Sequence, residues 1–179
     1  MYQIDFNHPA NVYFIGIGGI SMSGFAQLLH DYGFQVHGSD AHESKITDHL
    51  ESLGIHIIYG QSKENITGDI DFVVYTAAIH PDNPEFKAAK ELGLPMMERA
   101  EMVGQVMKNY QNAIAISGTH GKTTTTSMVS HIFLEAQKDP TISVGGILKV
   151  IDGNIRVGHS QDFITEACEY TNSFLKFHP

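Results

Sequence analysis

Residues 113–127 read AIAISGTHGKTTTTS, and this stretch decides how the second half of the chain folds. Its apolar beginning, Ala113–Ile116, predicts a buried strand, and the residues after Ser127 predict a helix. A strand, a glycine turn, a Lys-Thr pair and a helix together are typical of a phosphate-binding loop. Glycines allow successive N–H groups to point inward, and a helix N-terminus adds partial positive charge. The stretch therefore predicts a site for a nucleoside triphosphate.

Within this loop, Lys122 can reach the outer phosphates and the Thr123 hydroxyl can bind Mg²⁺. The common P-loop has a glycine where this chain has Ile116, so the loop is a short form. An ordinary turn between a strand and a helix is the alternative reading. Four consecutive threonines argue against it, because β-branched residues are mediocre helix formers and their hydroxyls suit phosphate and metal. The predicted ATP-binding residues are Gly118, Thr119, His120, Gly121, Lys122, Thr123 and Thr124.

A second glycine-rich segment, Gly16–Gly24, follows the first predicted strand and opens the first predicted helix. Gly16 permits a tight turn and Gly18 lets a pyrophosphate approach the backbone. Ser21 stands where the dinucleotide-binding fingerprint has its third glycine. Asp40 ends the next strand at a distance that suits a ribose hydroxyl. From these residues alone, a nicotinamide dehydrogenase and a tight turn without a ligand remain alternatives.

Strand and helix patterns alternate through the first half, which predicts a mainly parallel sheet. A polar segment, Lys108–Asn112, marks a predicted boundary between domains at residues 1–110 and 111–179. Strands are predicted at Val12–Ile15, Phe34–Gly38, Ile55–Tyr59, Asp71–Thr76, Leu94–Met97 and Asp162–Thr165, and helices around residues 22–29, 46–53, 84–92 and 102–106.

Composition excludes several classes of protein. The net charge of −9 argues against nonspecific binding to nucleic acid or anionic membranes. No apolar run approaches the roughly 20 residues of a membrane span, and the N-terminus has no secretory signal. The single cysteine, Cys168, cannot form an internal disulfide, and the 11 histidines lack zinc-binding spacing. We therefore expect a cytoplasmic protein; the oligomeric state stays open, with a homo-oligomer among the alternatives.

Several segments together resemble the N-terminal part of the bacterial Mur ligases, ATP-dependent amide-forming enzymes of cell-wall precursor synthesis. The likeness runs nearly end to end. It is carried by Gly16–Gly19 with Met22–Ser23, Gly38–Asp40, Ala78–Glu85, Glu98–Met102, Gly118–Thr126, and Glu166–Tyr170 with Ser173–Leu175.

The resemblance implies an α/β fold: a Rossmann-like, parallel-sheet domain that binds a UDP-sugar, then an incomplete P-loop ATPase domain. It implies ATP-dependent, Mg²⁺-dependent joining of L-alanine to UDP-N-acetylmuramate through an acyl phosphate. Attachment of a recycled peptide to the same sugar nucleotide is an alternative, and a non-catalytic nucleotide-binding module is another. Since the family's central domain should continue past Pro179, the chain is expected to be an N-terminal fragment and inactive by itself.

The same resemblance suggests roles for individual residues. Lys122, Thr123, Glu166 and His120 are the catalytic candidates, with Thr123 and Glu166 binding the metal and Glu169 as a second choice. A solvated strand end is the alternative for Glu166, loop filling for His120, and a surface ion pair for Arg99. The candidate UDP-sugar-binding residues are Gly18, Gly19, Ser21, Met22, Asp40, Thr76, Ala77, Ala78 and Arg99.

Overall fold

The computed structural model describes residues 2–167 and 174–179, and the chain divides into two compact units, residues 1–102 and 103–179. This division falls inside a helix, eight residues before the domain boundary that the sequence predicts. The first unit contains β1 (Asn11–Ile15), α1 (Ile20–Asp31), β2 (Gln35–Asp40), α2 (Lys45–Ser52), β3 (His56–Tyr59), a 3-10 turn (Lys63–Asn65), β4 (Phe72–Tyr75), α3 (Pro84–Glu91), β5 (Met96–Glu98) and the start of α4 (Arg99–Met107).

The five strands of the first unit form one parallel sheet in the order β3-β2-β1-β4-β5. The chain winds outward from β1 in one direction and then from β4 in the other, so the topological switch point lies between β1 and β4. Four consecutive residues of β1, Val12–Ile15, are fully buried. Successive side chains of a strand point to opposite faces, so both faces of the sheet are covered there. The parallel α/β prediction is confirmed.

Side-chain caps explain where two of the helices begin. Ser44 and Thr47 form a reciprocal capping box at the start of α2. At α3, the Asn83 side chain accepts hydrogen bonds from the amides of Glu85 and Phe86, and Pro84 occupies the first helical position. Both caps satisfy backbone donors that a helix leaves unpaired in its first turn. The α3 cap also fixes the loop that follows β4.

The second unit contains a four-stranded sheet in the order β6-β9-β7-β8, in which only β8 is antiparallel to its neighbour. Its core includes Ile142, Val144, Leu148 and Ile164. The sequence did not predict β7 or β8. The elements are β6 (Asn112–Ser117), α5 (Lys122–Glu135), β7 (Thr141–Leu148), a 3-10 turn (Lys149–Ile151), β8 (Gly153–Arg156) and β9 (Asp162–Ala167).

Strand β6 lies at one edge of the sheet among the described strands, paired only with β9. Its residues Ala113–Ile116 are half-buried. The prediction of a buried strand is therefore wrong here, because an apolar run does not reveal whether a strand has neighbours on one side or on both. The parallel register places Ile116 opposite Glu166, as expected for a carboxylate near the phosphate-loop strand.

Candidate functional site

The first glycine loop is attached to the end of β2 by backbone hydrogen bonds. The amides of Gly16 and Ile17 both donate to the Ser39 carbonyl at 2.9 Å. The amide of Gly19, the residue before α1, donates to the Gly16 carbonyl at 3.3 Å. Because the loop follows β1 at the switch point of the sheet, it lies where open α/β sheets bind ligands.

Asp40 holds the centre of this loop. Its Oδ2 accepts from the Gly18 amide at 2.8 Å, and its Oδ1 accepts from the Ala41 amide at 2.8 Å. A Cβ at position 18 would lie 2.8 Å from Asp40 Oδ2 and 2.9 Å from Thr47 Cγ2, so a larger residue would displace these side chains. The carboxylate thus contacts the loop itself, and the ribose contact stays a prediction.

Arg99 reaches the glycine loop from the beginning of α4. Its guanidinium donates to Ser21 Oγ at 3.2 Å. This contact brings together two residues that lie 78 positions apart and that the sequence had assigned to one site. Met22 belongs to the same turn of α1, but its side chain is buried and packs in the core.

The turn after β4 lies beside the same loop. Ala78 donates its amide to Thr76 Oγ1 at 3.3 Å, and Ala77 and Ala78 are exposed. Ile79 Cδ1 lies 3.8 Å from where a Cβ of Gly16 would be. The carboxyl ends of β1 and β4 therefore place both predicted segments next to each other.

In the second unit, two glycines give the loop between β6 and α5 its shape. Gly118 has φ +152° and Gly121 has φ +77°, conformations that side chains with a Cβ rarely adopt. Gly121 directly precedes α5, and the Lys122 ammonium donates to the Gly118 carbonyl at 2.6 Å. The predicted loop and helix are both present, and the lysine folds back across the loop.

Glu166 and Thr123 approach the same glycine pair of β7. The Gly145 amide donates to Glu166 Oε1 at 2.7 Å. A Cβ at Gly146 would lie 3.6 Å from Thr123 Cγ2. Sequence reasoning missed this pair, although two glycines inside a strand pattern signal a bulge or a close backbone approach. The register between β7 and β8 shifts between Ser143 and Leu148, around the pair.

Thr123 and Glu166 are the residues that the sequence predicts as metal ligands, and that assignment stays a prediction. Within residues 2–167 and 174–179, no three His, Cys, Asp or Glu side chains form a cluster. Mg²⁺ commonly uses one or two carboxylates and completes its coordination with phosphate oxygens and water. The residues fit that pattern. Glu169, the second choice, and Cys168 lie outside the described residues.

The remaining predicted residues of the ATP loop are solvent-accessible. Thr119, His120 and Thr124 are exposed. Thr126, in contrast, is fully buried, and its Oγ1 has no hydrogen-bond partner among the described residues. The threonine run therefore divides between the open side of the loop and the packed side of α5.

Comparison with known proteins identifies the family. A model described as "Mur ligase family, catalytic domain" matches residues 11–111. The chain belongs to the Mur ligase family. The family prediction made from the glycine loops and the other matching segments is confirmed, and the match covers the first sheet and the first loop described above.

Individual relatives of this Mur ligase chain match along its whole length. It is 65% identical over 179 residues to UDP-N-acetylmuramate–L-alanine ligase of Agathobacter rectalis and 66% identical to the enzyme of that name from Lachnospira eligens. The chain spans 39% of the length of each. No helix within the described residues is long and apolar enough to cross a membrane.

Solved structures agree with the fold. UDP-N-acetylmuramate-alanine ligase MurC from Thermotoga maritima matches with a TM-score of 0.84 at 35% identity, covering 94% of this chain and 39% of that one. A UDP-N-acetylmuramate:L-alanyl-gamma-D-glutamyl-meso-diaminopimelate ligase from Neisseria meningitides matches with a TM-score of 0.81 at 28% identity, covering 91% and 54%.

Proposed function

We propose that this chain binds UDP-N-acetylmuramate at its first glycine loop and ATP with Mg²⁺ at its second. It would do so within a ligase that joins L-alanine to the sugar nucleotide through an acyl phosphate. The observation that carries the proposal is the glycine loop crossed by Lys122, together with Glu166 at the Gly145 amide and the Thr123 methyl group beside Gly146. The names of the relatives that match the whole chain supply the reaction.

In the second unit, the residues have separate tasks. Lys122 offsets negative charge on the outer phosphates once it leaves the Gly118 carbonyl. Thr123 and Glu166 hold Mg²⁺, which supplies charge neutralisation for phosphoryl transfer. The Gly145 amide keeps the Glu166 carboxylate oriented toward the loop. His120, which is exposed in the loop, would hydrogen-bond phosphate or the sugar carboxylate.

In the first unit, the loop after β1 and the turn after β4 form the sugar-nucleotide site. A bound pyrophosphate would replace Asp40 and the Gly16 carbonyl as the acceptors of the Gly18 and Gly19 amides. Arg99, which donates to Ser21, would add positive charge. Thr76, Ala77 and Ala78 contact the uridine through backbone groups. Both substrates are charged nucleotides, so we expect the reaction to take place in the cytoplasm.

A hybrid enzyme tests the proposal. The 179 residues replace the matching segment of the Agathobacter rectalis ligase, which is 65% identical over that length. Phosphate release should require UDP-N-acetylmuramate, ATP, Mg²⁺ and L-alanine together. Release that is independent of the sugar nucleotide would contradict the proposal, and equal turnover with other amino acids would contradict the alanine assignment.

A peptide ligase is a second candidate, favoured by the Neisseria structure, whose TM-score of 0.81 is close to that of the alanine ligase. Substitution of the L-alanyl-γ-D-glutamyl-meso-diaminopimelate tripeptide for L-alanine separates the two. Because the rest of the hybrid also bears on the choice of amine, the assay is repeated in a hybrid built on the Neisseria enzyme. Faster turnover with the tripeptide in both hybrids would favour the peptide ligase.

A further inference from the structure

A fully buried carboxylate lies beneath the carboxyl ends of β1 and β2. Glu85 has no solvent-exposed surface, although it belongs to the first turn of α3, where acidic side chains are usually at the surface. Its Oε1 accepts from the Tyr13 hydroxyl at 2.8 Å and from Asn65 Nδ2 at 2.6 Å. Its Oε2 accepts from Ser39 Oγ at 2.6 Å. Three donors thus compensate the cost of burying the carboxylate.

Glu85 does not cap the helix to which it belongs. The amides at the start of α3 are capped by Asn83, which leaves both Glu85 oxygens available for other elements. Those oxygens connect α3 to β1, to the end of β2 and to the 3-10 turn after β3. Burial raises the pKa of Tyr13, so its hydroxyl stays protonated and remains a donor.

Ser39 is the connection between Glu85 and the first glycine loop. Its side chain donates to Glu85, and its carbonyl accepts the amides of both Gly16 and Ile17. Ser39 itself is fully buried. The hydroxyl and the carbonyl of this one residue therefore connect the carboxylate to two consecutive amides of the loop.

We propose that Glu85 is a positioning residue for the first glycine loop, acting through Ser39 to fix the Gly16 and Ile17 amides. Its consequence for ligand affinity depends on the proposed sugar-nucleotide site, but the effect on the loop does not. In this arrangement the Ala78–Glu85 segment, whose middle is exposed, contributes to the loop through its last residue.

Local hydrogen exchange in the ligand-free chain tests the loop directly. Ser39→Ala removes the hydroxyl that links Glu85 Oε2 to the loop. Tyr13→Phe also removes one hydroxyl donor, but at the other oxygen of the same carboxylate, Oε1. We expect Ser39→Ala to speed exchange at Gly16 and Ile17 about tenfold, the effect of losing a hydrogen bond to a charged group. Tyr13→Phe should leave their exchange unchanged relative to the Val73 amide, which donates to Pro95 in the same sheet.

Two variants of the carboxylate complete the test. Glu85→Gln can still accept from Tyr13 and Asn65 and can donate to the Ser39 hydroxyl, so it should preserve loop protection better than Glu85→Ala. If Glu85→Ala does not fold, the comparison of Ser39→Ala with Tyr13→Phe still decides. Equal exchange at Gly16 and Ile17 in those two variants would overturn the proposal.

Calorimetric titration with UDP-N-acetylmuramate then separates this inference from the proposed function. Weaker binding by Ser39→Ala than by Tyr13→Phe, at matched loss of thermal stability, would support both. If the parent chain binds no sugar nucleotide, the proposed function fails, while the exchange data still decide whether Glu85 positions the loop.

Discussion

Gly145 is the residue where a single added methyl group should matter most for the metal. A Cβ there would lie 2.8 Å from Glu166 Oε2, so Gly145→Ala must displace the carboxylate. Because groups that orient a metal ligand are worth 10- to 100-fold in metal affinity, we expect the hybrid enzyme to need about tenfold more Mg²⁺. The measurement is phosphate release against Mg²⁺ concentration.

Gly153→Ala is the matched control for that experiment. Gly153 lies in the neighbouring strand β8, and a Cβ there would have its nearest contact at an ordinary 3.7 Å. An equal shift in both variants would show that general destabilisation, rather than the Glu166 carboxylate, causes the effect.

Lys122 should be indispensable for turnover but dispensable for folding. Its ammonium donates to the Gly118 carbonyl, four residues earlier in the loop that precedes α5, and Gly118 lies outside the buried core. Lys122→Ala should lower kcat of the hybrid about 100-fold, as expected when a preorganised charge-stabilising group is lost. Lys149→Ala, at an exposed lysine of the same unit, is the control, and a similar loss of activity there would contradict the assignment.

His37 should make the first unit sensitive to acid. Burial holds the pKa of the His37 imidazole below its ordinary value of about 6.5; the nearby Asp69 opposes this shift and His56 adds to it. The unfolded chain then binds a proton at a higher pH than the folded chain. The contribution to stability is therefore complete above about pH 6.5 and is lost as the pH falls through the lowered folded-state pKa.

Thermal unfolding of His37→Gln between pH 7 and 5 measures this effect, and its acid-induced loss of Tm should be smaller than that of the parent. His49→Gln, at an exposed histidine of α2, should follow the parent. Parallel curves for the parent and His37→Gln would show that His37 does not titrate differently on folding.

At the level of elements, the Asn83 side chain caps the start of α3. Asn83→Ala removes the acceptor for two amides and should lower the free energy of unfolding by about 1 kcal/mol. Asn83→Asp keeps the acceptor and should retain most of this stability. Urea unfolding measures both variants, and an equal loss in both would assign the effect to the Asn83–Gln61 hydrogen bond instead.

The elements also show what sequence patterns reveal and what they leave out. Periodicity and turn residues located all five strands of the first sheet, because short extended segments there alternate with helical patterns and turn residues. These patterns missed β7, because Gly145 and Gly146 interrupt its apolar sequence. The Gly145 amide instead donates to Glu166.

Spacing placed Asp40 at the loop, but only the fold shows that its carboxylate accepts from the Gly18 amide. The buried role of Glu85 carried no local signal, since its three partners are distant in sequence.

For the whole molecule, the two units should differ in the free energy of local unfolding, with the second unit unfolding more readily. Of the largest fully buried side chains, all except Phe163 lie in residues 1–102. The second unit has half-buried β6 residues and exposed Met128, Ile132 and Ile147. Amides of β6 and α5 should therefore exchange faster than those of β1 and β4. Native-state hydrogen exchange measures this, and protection at Ile114 equal to that at Phe14 would contradict it.

The hydrogen bond between the Gly18 amide and Asp40 Oδ2 has a consequence for any anion that enters the first loop. Since this donor is already engaged, an arriving phosphate exchanges one negative acceptor for another there and gains little enthalpy at that atom. The fixed carboxylate also repels a phosphate that penetrates too far. If the first loop binds the sugar nucleotide as proposed, Asp40 would therefore limit how far a phosphate enters it, and the Gly18–Asp40 hydrogen bond would re-form when the ligand leaves.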